Sequence, residues 1–376
     1  MTPPAWLRRF AVACLTLLVV LLPVSVAARG ITAAPTPAEL HRLERATAVP
    51  PAPGSEVARQ FLVAGVAGLP LPTTAGAEAP FVQRARLMQL LAIAGVSVGV
   101  YLAMLLARGR LHALLACAAL ALLPAVHTRG HELRPEGAAA LFLALGLVLT
   151  TCFAADAART RRPGARRRWW SLAGLSSCAC LANALAVAAL PTTGECLLVP
   201  GGVLLLGTLQ LSLRARRAAR RHGWLGIPIR AINGRLLPWT ATSLLMPAVA
   251  LWSLSQTVAG PAEAVLPSLG GSLVQEAGGT LPLLLMGFGA GVGLLRVGLR
   301  LGRRGRLGPD LALFVFAAAF VAGLWRADGE DGLPAAAALA ALAGEGLASL
   351  LVLAQGLLSA RRGRTARLDR LVGPPS

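Results

Sequence analysis

The sequence predicts an all-α integral membrane protein: a polytopic bundle of about nine transmembrane helices after a cleavable signal peptide, or ten if that first segment is retained. Three observations predict it. Apolar residues fill 56% of the 376 positions, only 14% are charged, and the mean hydropathy is +0.66. A soluble fold of this size needs more polar surface than that, so a disordered chain, a disulfide scaffold and an ordinary soluble enzyme are excluded. The apolar residues gather into runs near the ~20 residues that a ~30 Å hydrocarbon core demands. The charges between those runs alternate in character along the chain.

The runs fall at residues 10–26, 87–107, 111–126, 138–157, 169–190, 197–213, 236–256, 280–299, 311–325 and 335–358. Two of them, 111–126 and 311–325, are short and have little length to spare for tilt. All 36 basic residues are arginine, and the net charge is +20. Alternating the connections from an inner start places 27 arginines with Asp156, Asp310 and Asp369 inside, and nine arginines with twelve acids outside. Inside then carries +24 and outside −3, with Glu345 left within a span. Removing any middle span would reverse the later loops and destroy this separation. The pattern is the positive-inside rule, and it predicts a cytoplasmic (inner) membrane location with the C-terminus inside.

The amino end is built like a secretory signal. Arg8 and Arg9 precede the apolar run 10–26, and Ser25-Val26-Ala27 and Val26-Ala27-Ala28 offer small residues for cleavage. The predicted organisation is 1–28 signal peptide or first anchor, 29–86 extracytoplasmic proline-rich segment, 87–358 transmembrane domain and 359–376 basic cytoplasmic tail. Within 29–86, residues 39–46 suit a helical turn with Pro37 at its front, and 55–65 suit another capped by Ser55. The segment has no cysteine to staple it.

The positive charge reads as a device for orientation. Nucleic-acid binding calls for a folded basic domain with stacking aromatics. The longest inner loop, 214–235, has one aromatic, Trp224, and its expected partner is the bilayer with its anionic head groups at the cytoplasmic face. Protein partners in a membrane complex are also expected, and no nucleic acid.

Sites for chemistry are sparse. Of Cys14, Cys117, Cys152, Cys178, Cys180 and Cys196, four lie within spans beyond the signal, where cysteine acts as a small hydrophobe. Cys178 and Cys180 would point about 200° apart on a helix and cannot readily share a metal. Cys196 stands beside Glu195 at the outer mouth of a span. His127 and His131, followed by Glu132, have the spacing that puts two imidazoles on one helix face, as a metal site needs. Gly130 and Pro135 interrupt that stretch, so it reads as a solvated loop. Glu195, Cys196, His127 and His131 together make a candidate polar cluster on the outer face. No Walker A, Gly-x-Ser-x-Gly or His-Glu-x-x-His sequence occurs, and no cofactor or metal is expected.

Glu345 is the most informative residue. It lies near the centre of the run 335–358, between Gly344 and Gly346. Inserting a carboxylate there costs about 2.5–3 kcal/mol, which nine Leu and Val residues at roughly 0.3–0.6 kcal/mol each can offset. It should face protein or water, and burial would favour the neutral acid. An intramembrane acid is a candidate proton or ion site. Ala340, Gly344 and Ala348 form a small-residue ridge beside it, and Gly287, Gly289, Gly291 and Gly293 form two overlapping faces that invite close helix contact. Further polar positions in spans are Gln89, Asn183, Gln210 and Asp156, the last one turn from Arg159.

These features leave the activity unassigned. The leading expectation is a non-catalytic membrane component, a scaffold or subunit of an envelope or secretion complex. It rests on the scarcity of motifs and on the lack of a second buried charge to pair with Glu345. The alternatives are an ion-coupled transporter using Glu345 and a membrane enzyme using Cys196, His127 and His131 on the outer face.

Overall fold

The computed structural model describes residues 5–37, 39–40, 78–128, 130–132, 136–159, 278–304 and 332–372, with eight scattered positions between 174 and 186. They form seven helices: α1 Ala5–Ala28, α2 Glu78–Ala107, α3 Arg110–Leu122, α4 Pro124–His127, α5 Glu136–Arg159, α6 Thr280–Arg304 and α7 Gly332–Val372. No strand occurs among the described residues. The all-helical membrane class holds: Arg9–Ala28, Phe81–Ala107, Gly137–Ala155, Thr280–Val297 and Ala336–Leu357 are each long and apolar enough to cross a bilayer. The expected runs 197–213, 236–256 and 311–325 lie outside the described residues, as does most of 169–190.

The helices follow the apolar runs, with local differences that have physical causes. Helix α2 starts at Glu78, nine residues ahead of the expected run, because nothing in Phe81–Arg86 breaks a helix and Phe81, Val82 and Ala85 find buried contacts. The expected run 111–126 divides at Leu123, whose ψ of 137° precedes Pro124. A residue before proline is pushed out of the helical region, so α3 stops and the single turn α4 restarts with Pro124 at its first position. Gly109, at φ 101°, makes the tight turn between α2 and α3 and adopts a conformation that side-chain-bearing residues rarely take. Helix α7 continues through the arginine-rich tail to Val372.

Helix α7 is the centre of the described bundle. Every residue from 336 to 346 is buried, which is the signature of a helix covered on all sides. It touches α2, α3, α4, α5 and α6. Its run Ala336-Ala337-Ala338-Leu339-Ala340-Ala341 carries small side chains, so neighbouring backbones approach closely. A Cβ on Gly344 would come within 2.7 Å of the Ala116 backbone nitrogen, so the expected ridge of Ala340, Gly344 and Ala348 is buried, with Gly344 on α3. Of the two glycine faces expected on α6, one is used. Gly289 and Gly293 are buried, and a Cβ on Gly289 would collide with the Leu342 carbonyl of α7, whereas Gly287 and Gly291 are exposed with no atom near a Cβ.

Helix α1 packs against α2 and α3. Ser97 Oγ donates to the Val20 carbonyl at 2.6 Å, and Arg110 Nη2 donates to the Val12 carbonyl at 2.9 Å and to Thr16 Oγ1. Ala27 is fully buried.

Candidate functional site

Two buried polar clusters sit at opposite ends of α2. Arg86 and Arg108 are 22 residues apart, about 33 Å along a helix, which is close to the thickness of the hydrocarbon core.

The first cluster gathers at the Arg86 end. Arg86 and Glu39 are each 1% exposed. The pair is bidentate: Nη2 donates to Oε2 at 2.7 Å and Nε to Oε1 at 3.0 Å. Nη1 also donates to the carbonyls of Ile31 at 3.0 Å and Ala33 at 2.7 Å, so one guanidinium gathers the chain that leaves α1. Glu39 caps the turn that starts at Pro37. The Thr36 backbone N–H and hydroxyl reach Oε2 at 3.0 and 3.2 Å, and the Glu39 N–H returns to Thr36 Oγ1 at 3.3 Å. This is a Thr-x-x-Glu capping box. The expected helical turn therefore begins where proline was expected to start it; residues 41–46 lie outside the described residues.

His131 and Gln89 belong to the same end. The His131 ring packs on Gly30, whose carbonyl is 3.3 Å from Arg86 Nη1. His131 Nδ1 is buried without a hydrogen-bond partner, and so are both amide atoms of Gln89, which packs on Gly137 of α5. His127 and His131 are placed differently. His127 ends α4 and is exposed, the chain turns at Thr128, and His131 is half-buried. The two histidines do not share a helix. Glu195 and Cys196 lie outside the described residues. Among the described residues, no three His, Cys, Asp or Glu side chains converge as a metal site.

The second cluster gathers at the Arg108 end, on Glu345. This carboxylate is fully buried. Arg296 Nη1 of α6 donates to Oε1 at 2.8 Å, Arg108 Nε lies 3.2 Å from Oε2, and His112 Nε2 of α3 lies 3.5 Å from Oε2. Arg108 is 6% exposed and Arg296 37%. One expectation changes: Glu345 does have buried charged partners, and it lies within an arginine's reach of the α2–α3 turn. The arrangement ties α2, α3 and α6 to α7 through one side chain.

The remaining sequence candidates contribute packing. Cys117 is buried, its Sγ 3.6 Å from the Ser97 carbonyl, and Cys152 is half-buried. Asn183, Gln210 and Cys180 lie outside the described residues.

The backbone arrangement resembles an archaeal oligosaccharyltransferase. The structure of AglB from Archaeoglobus fulgidus, in complex with an inhibitory peptide and a dolichol-phosphate, is similar at a TM-score of 0.51 and 12% identity, over 99% of this chain and 53% of that one. The apo form of the Archaeoglobus fulgidus oligosaccharyltransferase is similar at a TM-score of 0.50 and 12% identity, over 92% of this chain and 52% of that one. This chain thus spans about half the length of the proteins it resembles. At this identity the likeness concerns the fold. No family model and no curated protein matches the sequence.

Arg108, His112 and Arg296 escaped the sequence reading. The signal for one of them was present: Arg296 is an arginine inside an apolar run, as Glu345 is an acid inside another. Two opposite charges that each burden a membrane helix are natural partners. Arg108 and His112 carried no such mark, because they flank a turn where inner arginines were expected anyway.

Proposed function

We propose that this multi-pass membrane protein is a non-catalytic component of an envelope or secretion complex, embedded in a membrane whose anionic head groups face its arginine-rich turns. One observation carries the reading. Among the described residues the two buried carboxylates, Glu39 and Glu345, are held by arginines from distant parts of the chain, and each pairing joins segments of the bundle. Charges spent on cohesion suit a scaffold. An ion-coupled permease working through Glu345 is not supported, since both oxygens of that carboxylate are engaged by arginines that join helices.

The test is purification of the tagged chain from its native membrane in mild detergent, with quantitation of what accompanies it. A scaffold should carry partners in fixed stoichiometry. A chain that elutes alone and uncomplexed would refute the reading.

The likeness to an oligosaccharyltransferase favours a second reading: a membrane enzyme that handles a lipid-linked glycan at the Arg86 end. Among the described residues there, the buried Nδ1 of His131 and the amide of Gln89 lack protein partners. Membranes carrying the chain would then transfer sugar from a polyprenyl-phosphate-linked donor, and His131→Ala would abolish transfer while leaving insertion intact. Equal transfer with and without the chain would remove this reading.

A further inference from the structure

We propose that the exposed flank of α6 at Arg296 is a selective site for a phosphate-bearing anionic lipid, with Arg296 as its principal headgroup contact. The proposal rests on the membrane-embedded reading and not on the scaffold assignment.

On the helical register of α6, Leu281, Leu284, Phe288 and Leu295 fall on one face, and all four are exposed. Gly289 and Gly293 fall on the face packed against α7. Arg296 projects at the border between these faces. Its guanidinium gives Nη1 to Glu345 Oε1 while remaining 37% exposed, so part of its planar fork is turned away from the bundle. It is level with the α2–α3 turn, about one hydrocarbon thickness from Arg86 along α2. Arg296 is also the penultimate residue of Thr280–Val297, the part of α6 long and apolar enough to cross a bilayer, so it lies at the end of that crossing.

The chemistry points to phosphate. A guanidinium presents a rigid fork that matches phosphate oxygens, and Glu345 holds one arm of it in a fixed orientation, which lowers the ordering cost of a second contact. His112 Nε2 lies 3.5 Å from Glu345 Oε2, so the carboxylate that fixes Arg296 through Oε1 is itself held through its other oxygen. The lipid's chains would lie along the open leucine face, which is apolar up to Arg296. Basic pockets between membrane helices recognise anionic headgroups in this way, and a zwitterionic lipid would gain less because its own cation opposes the arginine.

The test uses the full chain in detergent micelles. Thermal unfolding is followed while phosphatidylglycerol, phosphatidylcholine or inorganic phosphate is added, and native mass spectrometry counts retained lipids. Phosphatidylglycerol should raise the midpoint saturably and remain bound, and phosphatidylcholine should do neither. Arg296→Gln should weaken the apparent affinity about tenfold, as expected for loss of one charge-assisted contact, and Arg296→Lys should retain part of it. Equal responses to the two lipids would overturn the proposal, as would a full phosphatidylglycerol response in Arg296→Gln. The same stabilisation by inorganic phosphate alone would replace the lipid by a free anion and overturn it too. If Arg296→Gln fails to fold, the wild type and Arg296→Lys decide by mass spectrometry, and a wild type that retains no phosphatidylglycerol refutes the site. A negative result leaves the partner-purification test of the scaffold untouched.

Discussion

Replacing Glu345 by Gln keeps the volume of the side chain and removes its charge. The substitution leaves Arg108 at 6% exposure facing a neutral amide, and Arg296 at 37% exposure free to turn toward the aqueous boundary. Breaking a buried pair by deleting one partner costs about 3–5 kcal/mol, chiefly because the other charge stays buried. Only Arg108 is buried enough to count in full, since the Arg296 contact is screened by its surroundings. The expected loss is therefore about 3 kcal/mol, the low end of that range. At about 2 °C per kcal/mol, the value for the longer domains, the unfolding midpoint should fall by about 6 °C. The assay is thermal unfolding of the purified protein in one detergent, followed by loss of the monodisperse chromatographic peak. A companion variant, Glu345→Met with Arg108→Met, should recover most of the loss, because a buried ion pair exchanged for packed apolar residues is often neutral or stabilising. A Glu345→Gln midpoint equal to wild type, or a double variant no better than the single one, would refute the claim that this carboxylate serves to hold α7 to its neighbours.

Other outcomes follow from the same geometry. Glu39→Gln removes both the partner of Arg86 and the capping carboxylate, so it should destabilise by about 3–5 kcal/mol, and amide hydrogen exchange should rise across 30–40 before it rises in α2. Gly289→Ala should destabilise the α6–α7 contact, because the new Cβ meets the Leu342 carbonyl and the Gly346 backbone nitrogen at 2.8 Å, whereas Gly287→Ala meets nothing and should be neutral or gain up to about 1 kcal/mol in helix propensity. Comparison of the two midpoints is the check, and equal effects would contradict the assigned packing face. The contacts of Val12, Thr16 and Val20 with Arg110 and Ser97 should keep α1 with the bundle, against the expected cleavage. Amino-terminal sequencing of the membrane-extracted protein would show residues ahead of Ala28 if this is right, and a new terminus at residue 28 or 29 if it is wrong.

Much of the fold was legible because a bilayer imposes a coarse rule. Six of the apolar runs reappear as helices, and where their ends moved the reasons were local: Pro124 ended α3, and the lack of any breaker let α2 reach back to Glu78. The capping box at Thr36 and Glu39 was also within reach of sequence, since the expected turn had Pro37 at its front. What escaped was partnership. Glu345 looked solitary because its partners are 237, 233 and 49 residues away and two of them flank a turn already explained by orientation. Arg86 was counted as one external charge among nine, although it binds Glu39 across 47 residues.

Composition and periodicity alone determined that this chain is a membrane bundle, because the demand for ~20 apolar residues per crossing is met or missed within each segment separately. They also determined which residues were chemically out of place, since a charge in an apolar run is costly wherever its partner lies. Only the tertiary structure decided which glycine face of α6 is packed and that Glu345 is clamped by Arg108 and Arg296. Such facts depend on which helices touch and at what height, and no single segment carries that information.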